Sequence, residues 1–547
     1  PSYAHSYLLT GYLSPDYVDI SGNGISDDDL GSAVKFNYAK IHDNYKWRIP
    51  FESNTANLSD QFKSYSADDK GNYSYGGKEY WLIHSLETKN NVAIFHYESR
   101  QDSYGVAGEN GGLDPDMGLK KLVKIVLYAK QEYLRLKDAA IPIKSVHFEH
   151  EYTLCPGIDN NINTTVADKS HGKLTLKKVY FTYGKSNKGR LSAYNFNYST
   201  INPTYSFKGS DAWGCYKAND GCSGSSPSNP EFPFPIQDKT VADQNASAWA
   251  LTSIGLPSGG TISVEYESDD YSYVQDKNTM RMLKIKGFGK SNNIGNYGSN
   301  IYQGGNDHND IIYFELAEPI SLSPTQASNK VKEEYLKGID DIQYTVNLDI
   351  DGNNNFEYVK GYCEINWSLG CGVYNNNIGW VAINKVHIGD KHQSLANRMV
   401  SPIARYSWNF AKLNLPHLVY PFSEPTETSG LAEIKALTGV FADVKYMIDG
   451  FYNSLEKDGF CKSVNLNKSW LRTNVPGKTK IGGGHRVKSI KLSDNWDVIG
   501  AGSATSASFD YGQSYEYETQ EKQTDGNTLT ISSGVAAFEP IIGGDEN

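Results

Sequence analysis

Residues 173–198 read KLTLKKVYFTYG (173–184), KSNK (185–188), GRLSAYNFNY (189–198). Apolar and polar residues alternate on either side of a short polar turn. That pattern predicts two antiparallel strands joined as a hairpin, since a helix would repeat its apolar residues every three or four positions. LTSIGL (251–256), PSGG and TISVEYES (261–268) repeat the pattern, with one Pro and two Gly supplying the turn. Period-two stretches continue as GSAVKFNYAK, EYWLIHSL, NVAIFHYES, KLVKIVLYAK, IKSVHFEHEYTL, MRMLKIKGFG, DIIYFELA, IQYTVNLDI, FEYVKGYCEI, WVAINKVHI, HRVKSIKL and QSYEYETQ. An all-helical or doubly wound chain is excluded. The predicted fold class is mainly β, with consecutive antiparallel hairpins in extended or coiled sheets and one long amphipathic helix near 431–457.

That helix is expected over about Leu431 to Lys457, because Leu437, Phe441, Val444, Ile448, Phe451 and Leu455 fall on one face and Gly459 follows its end. A shorter helix is expected at Val331–Lys337, preceded by Ser328 and stopped at Gly338. Gly/Ser/Pro- or Asn/Gly-rich stretches at 219–235, 291–310 and 421–430 read as linkers or loops. They suggest an N-terminal β region (1–160), a hairpin region with a Cys/Pro/Gly-rich insertion (161–290), a β region with the short helix (291–427) and a helix-plus-strand region (428–547).

The 547 residues carry 39 Tyr against 20 Phe and a net charge of −11. Tyr suits half-buried sheet surfaces, where the ring packs and the hydroxyl stays wet. Several predicted strands end on an aromatic-x-Tyr pattern before a polar turn, as in FNYAK, FEHEYT, FTYGKS, FNYSTINP, VEYESDD and YEYETQ. The spacing is too irregular for a strict repeat, and a Tyr-rich β chain shows such triplets by composition alone. The acidic balance, without a Lys/Arg-rich run, argues against a nucleic-acid partner. No apolar run approaches the ~20 residues of a membrane helix. The chain opens on PSYAHSYLLTGYL without a basic leader and closes on GVAAFEPIIGGDEN, which reads as a segment of a larger chain.

Motifs with chemistry are few. In Asp19-Ile-Ser-Gly-Asn-Gly-Ile-Ser-Asp27, oxygen ligands at Asp19, Ser21, Asn23 and Asp27, with the Ile25 carbonyl, occupy positions 1, 3, 5, 9 and 7 of a Ca²⁺ loop, and Gly24 takes the sharp turn at position 6. Position 12 is Leu30, so the usual bidentate Glu is missing, and an acidic turn explains the stretch as well. Asp349, Asp351, Asn353 and Glu357 form a second, weaker Ca²⁺ candidate that also reads as a hairpin turn. His147, Glu149 and Glu151 share one strand face, as metal ligands or as a solvated surface. Cys215/Cys222 and Cys363/Cys371 are close enough in sequence for local disulfides, and buried thiols are the alternative. VPGKTK has Arg472 where the phosphate-binding loop needs Gly, GFGKSN departs from GxGxxG, and neither GxSxG nor HExxH occurs. A glycosidase needs only two suitably spaced carboxylates, which no motif would reveal.

Several blocks, SPDYVDISGNGISDDDLGSAVKFNY, YTLCPG, GKLTLKKVYFTYGKSNKGRLSAYNFNY, SDAWGCYK, LTSIGLPSGGTISVEYESDDYSYVQDK, IGGGHRVKSIKLSDNW and SSGVAAFEPIIGGDEN, resemble very large uncharacterised secreted proteins of the Bacteroidota. Those proteins are distantly similar to the Rhs/YD-repeat group, whose hairpins coil into β shells. The resemblance implies export by the type IX route and an extracellular or cell-surface location, and it supplies no catalytic residue to transfer. The expected function is a non-catalytic structural or adhesive segment of a giant surface protein, stabilised by Ca²⁺. Its partners would be other segments of the same chain, surface glycans or secretion-machinery proteins. A toxin-encapsulating shell, a carbohydrate-binding or polysaccharide-active protein, and a component or cargo of a secretion or gliding-motility assembly are the alternatives.

Overall fold

The computed structural model describes residues 3–540 except residue 5, 57–71, 164–170, residue 208, 219–233, residue 306, 390–397, 420–449, 500–507 and 523–525. It is mainly β, and its sheets follow from the period-two segments. Ten strands pair in chain order: β1 (Gly11–Leu13), β2 (Ala33–Ile49), β3 (Ser74–Glu87), β4 (Asn91–Val106), β5 (Leu113–Ala129), β6 (Lys144–Leu154), β7 (Lys173–Thr182), β8 (Tyr194–Tyr198), β9 (Leu251–Gly255) and β10 (Thr261–Tyr271). Helix α1 (Lys130–Leu136) covers a small core of Val92, Ile94, Val126 and Tyr128, and α2 (Lys239–Ala246), capped by the Asp238 carboxylate, lies between β8 and β9. Elsewhere most side chains of this sheet are only half-buried.

The sheet alternates long and short ladders. The ladder joining β2 to β3 runs from Lys35↔Glu87 to Ile49↔Ser74, whereas that joining β3 to β4 covers only Glu87↔Val92 to Ser85↔Ile94. Likewise β4–β5 runs from Asn91↔Ala129 to Val106↔Leu113, and β5–β6 only from Leu127↔Lys144 to Lys124↔His147. Two-stranded ribbons are thus joined to their neighbours at one end.

At five of the six short junctions the same device recurs. Where the ladder ends on a pair j↔i, the tyrosine at i+3 donates its hydroxyl to the carbonyl at j−2. Gly11↔Lys35 is followed by Tyr38 to Leu9 (3.0 Å), Ser85↔Ile94 by Tyr97 to Ile83 (2.9 Å), and Lys178↔Asn195 by Tyr198 to Leu176 (2.8 Å). Ser253↔Ser263 is followed by Tyr266 to Leu251 (2.9 Å), and Ser489↔Ser514 by Tyr517 to Val487 (2.8 Å). As two strands diverge their facing carbonyls lose backbone donors, and the phenol satisfies one of them. The residue at i+1 is Phe36, Phe95, Phe196, Val264 or Tyr515, on the same strand face as the tyrosine. The remaining junction, Lys124↔His147, has Phe148 at i+1 and His150 in the tyrosine's place.

The aromatic-x-Tyr triplets therefore end ladders, not strands: Tyr38 is in the middle of β2. Tyr183 of FTYGKS is not one of these clasps, being an exposed turn residue, and Tyr152 of FEHEYT instead accepts the Gln101 amide (3.1 Å).

After β10 the chain departs into a second sheet: β11 (Met280–Gly289), β12 (Ile311–Glu315), β13 (Asp341–Asp349), β14 (Phe356–Glu364), β15 (Cys371–Tyr374), β16 (Ile378–Ala382) and β17 (Trp470–Asn474), in the order β14-β13-β17-β11-β12-β16-β15. It then returns as β18 (Lys480–Ser493), which pairs with β10 from Tyr271↔Lys480 to Thr261↔Ser493, and as β19 (Asp510–Ser514) beyond it. The second sheet with its helices is thus an insertion in the β10–β18 hairpin. Its faces follow strand alternation: Leu283, Ile285, Ile312 and Phe314 enter one large core, while Met282, Ile311 and Tyr313 enter two small clusters.

Helices α3 (Pro324–Lys330), α4 (Pro402–Asn414) and α5 (Phe451–Lys457) contribute to the large core. The short helix expected at Val331–Lys337 begins earlier, with Pro324 at its first turn, and continues as a π-turn over Val331–Tyr335. Helix α4 was not expected, although Ser401-Pro402 is a helix-start signal; its Ile403, Ala404, Ser407, Trp408 and Ala411 are buried. The expected helix does not run unbroken to Lys457: Gly450 (φ 78°) is non-helical and caps a separate short helix, α5, with Gly459 beyond it in a left-handed conformation, while residues 431–449 lie outside the described residues. The same holds for 421–430 and for most of 219–235. The 291–310 stretch, by contrast, is built into the inserted unit, and Ile301 and Tyr302 are fully buried.

Candidate functional site

Both expected Ca²⁺ loops form the same turn. Asp19 accepts the amides of Gly22 (2.7 Å) and Gly24 (2.9 Å), while Asp349 accepts those of Gly352 (3.0 Å) and Asn354 (3.3 Å). In each loop the residues three and five positions after the Asp have positive φ (70° and 84°; 78° and 66°), a conformation that favours Gly and Asn. Beyond this the loops diverge. Asp27 is ion-paired with Lys130 (2.6 Å), the Ile25 carbonyl accepts from Lys35, and Ser21 bonds the Asp28 carboxylate. Asp29 knits the first loop by accepting the Tyr17 hydroxyl (2.7 Å) and the amides of Ile20 and Ser26. In the second loop Asp351 holds Asn353 and Asn355, and Glu357 lies on β14 opposite Leu348. Among the described residues no three His, Cys, Asp or Glu side chains converge as a metal group.

The His147, Glu149, Glu151 face is an ion-paired strand surface. Glu149 pairs with Arg190 (3.1 Å), Glu151 with Lys177 (3.2 Å), and His147 contacts Thr182 Oγ1 (2.8 Å) and stacks on Tyr180. Burial and then Lys124 hold the His96 and His147 imidazoles below the usual histidine range; burial, Lys121 and Arg100 do so for His150. With folded values below unfolded ones, this contribution to stability is present above about pH 6.5 and is lost as pH falls through the lowered values. The thermal midpoint is expected to fall between about pH 7 and pH 5. A triple His→Asn variant at 96, 147 and 150 should show a shallower fall when both are followed by circular dichroism.

The cysteines correct the disulfide expectation. Cys363 and Cys371 are separate, buried free thiols of the large core; the Cys371 thiol lies 3.7 Å from the Ser328 carbonyl, and burial pushes both pKa values up. Cys215 is also a free thiol, pushed up to about 11 by burial, and Cys222 lies outside the described residues.

Sequence reasoning missed two buried polar knots. His308 accepts the Ser401 amide at Nδ1 (3.2 Å), so Nε2 carries the proton and donates to Glu456 (3.0 Å), which also pairs with Arg398. At the root of the insertion, Glu539 accepts from Lys480 (2.6 Å), Arg472 (3.0 Å), the Tyr271 hydroxyl (3.2 Å) and the Met280 amide. The side chains of His308, Glu456, Lys480 and Glu539 are all at most 2% exposed.

An open cleft of about 720 Å³ lies beside β11. Its wall is the 290–300 loop, anchored by the Ser291 amide on Asp310 (2.7 Å) and the Gly295 amide on the Tyr313 hydroxyl (2.9 Å). Asn292, Asn293, Asn296, Asn300 and Gln303 line it together with Tyr297, which stacks on Tyr313 at 4.5 Å. Lys290, at its rim, is paired with Asp307. A smaller cleft lies between Tyr362 and Tyr406, with Asp341 and Glu364 opposite one another across β13 and β14.

No protein-family model, curated protein or solved structure matches this chain.

Proposed function

We propose that the chain is a non-catalytic structural or adhesive segment of a large exported surface protein, rigidified by Ca²⁺ in its Asp-Gly loops. The observation that carries this reading is the two-strand unit repeated along the large sheet. Six junctions share one register, five with the same phenol-to-carbonyl bond, and the outer edges of β1 and β19 have no strand partner among the described residues. A repeated, open-edged sheet suits load-bearing and pairing with further strands more than it suits one reaction centre. The same unit favours, as a second reading, a hairpin shell around a cargo, for which the sheet would have to close with further segments.

Antibody against the chain is expected to label intact cells; labelling only after permeabilisation would overturn export. Chelation tests the calcium component. Removing an ion that binds only the folded state at saturation costs about 1–3 kcal/mol, so EDTA should lower the thermal midpoint by a few degrees and added Ca²⁺ restore it. A midpoint indifferent to chelator, with no calcium by elemental analysis, rejects that component.

A further inference from the structure

We infer that the cleft beside β11 binds a neutral oligosaccharide. Its lining is rich in uncharged amides, and the side chains of Asn292, Asn293, Asn296 and Gln303 make no hydrogen bond to other described residues. Each amide offers both donors and an acceptor, the set that adjacent sugar hydroxyls require. Tyr297, its ring stacked on Tyr313 and edge-on to Tyr374, completes the lining as a rigid wall. The Lys290 charge is balanced by Asp307, leaving little reason to select an ionic ligand. The volume lies within the ~300–1,000 Å³ typical of small-molecule sites.

Preorganisation strengthens the argument. The loop is tied to Asp310 and Tyr313, while the buried Asn309 side chain holds the Asn300 carbonyl (2.7 Å) and Lys462 holds that of Gln303 (3.3 Å). These ties use side chains other than the free amides, so the amides are positioned without being consumed. An Asn/Gly-rich stretch that served only as a linker would have no need of them. The inference deepens the adhesive half of the proposed function by naming what would be held. It is read by sugar binding rather than by location or chelator response, so either can fail alone.

The experiment screens the full chain against arrayed gluco-, manno-, galacto- and N-acetylglucosamine oligosaccharides of two to six residues, then titrates the best binder calorimetrically. Two variants accompany it. Asn293→Ala/Asn296→Ala removes exposed amides, and Gly298→Leu adds bulk at a lining position where a Cβ meets no atom within 4 Å and φ is not left-handed. Binding of at least one neutral oligosaccharide is expected, weakened about tenfold or more by each variant at an unchanged thermal midpoint. The inference is overturned if no neutral oligosaccharide binds, if only charged ones do, or if both variants bind as tightly as the parent. A variant whose midpoint drops is replaced by Asn292→Ala/Gln303→Ala, with the same reading.

Discussion

Replacing Glu539 with alanine is expected to destabilise the full chain by about 3–5 kcal/mol, read as a lowered midpoint in urea. Its carboxylate is 2% exposed and is shared by Lys480, itself 1% exposed, and by Arg472. Truncation leaves the ammonium without its counter-charge in a site where burial already lowers the lysine's pKa. The loss would spread, because the same carboxylate joins residues of β10, β11, β17 and β18, and the segment that carries it is held by Val535–Ala536 running parallel to Tyr273–Val274 and by Phe538 stacked on Trp213. Lys480→Met with Glu539→Leu removes the fully buried ammonium together with its counter-charge, leaving only the partly exposed Arg472, which keeps Gln343, and should cost less than Glu539→Ala, since a buried ion pair owes much of its apparent worth to the penalty of breaking it. A double variant less stable than the single one would contradict this account.

Changing Tyr38, Tyr97, Tyr198, Tyr266 and Tyr517 together to Phe should cost about 3–7 kcal/mol. Each change removes one hydroxyl, keeps the ring, and frees one carbonyl between diverging strands, a loss of about 0.5–1.5 kcal/mol. Tyr38, Tyr198 and Tyr266 pair across the sheet with Ile83, Leu251 and Val487, the acceptors of Tyr97, Tyr266 and Tyr517, so neighbouring clasps are coupled and the combined cost is read against the sum of the single variants. Single Tyr→Phe variants measured by urea unfolding provide the check, and near-zero values at all five would show that water replaces the phenols at no cost. The converse is His150→Tyr, which puts a phenol in reach of the Leu122 carbonyl at the sixth junction. It should stabilise by up to about 1 kcal/mol.

The hairpins were legible because side chains on a half-wet sheet alternate, and alternation survives in one sequence. The clasp was half legible. FNY, VEY and YEY mark it, but Tyr183 imitates it in an exposed turn, His150 breaks the series, and FHY was read only as part of a strand. The register that unifies these triplets lies in the partner strand, where no local pattern records it. The insertion was invisible for the same reason: Tyr271 and Lys480 are neighbours in the sheet and far apart in the chain. Of the candidate sites, the Asp-Gly loops were legible as turns, since a carboxylate followed by Gly or Asn at fixed offsets is local chemistry. Glu539 was not, because a single Glu in GVAAFEP shows nothing until burial brings Lys480 and Arg472 to it. The Asn and Gly of 291–310 signal a loop, which holds for its surface amides and not for the fully buried Ile301 and Tyr302. The Cys363–Cys371 disulfide expectation failed because closeness in sequence does not place two thiols in contact.

The placement of the inserted unit ties its folding to that of the large sheet. If the insert unfolded, the β10–β18 ladder would have to be closed by a long flexible loop in place of a short turn, at an entropic cost of about 3 kcal/mol for a roughly fiftyfold increase in length. The folded insert avoids most of that cost, because its own Met280↔Asn474 pairing brings the two crossings close together. Melting of the insert would therefore loosen the last strands of the sheet, and a ligand that stabilised the insert would tighten them through chain connectivity alone.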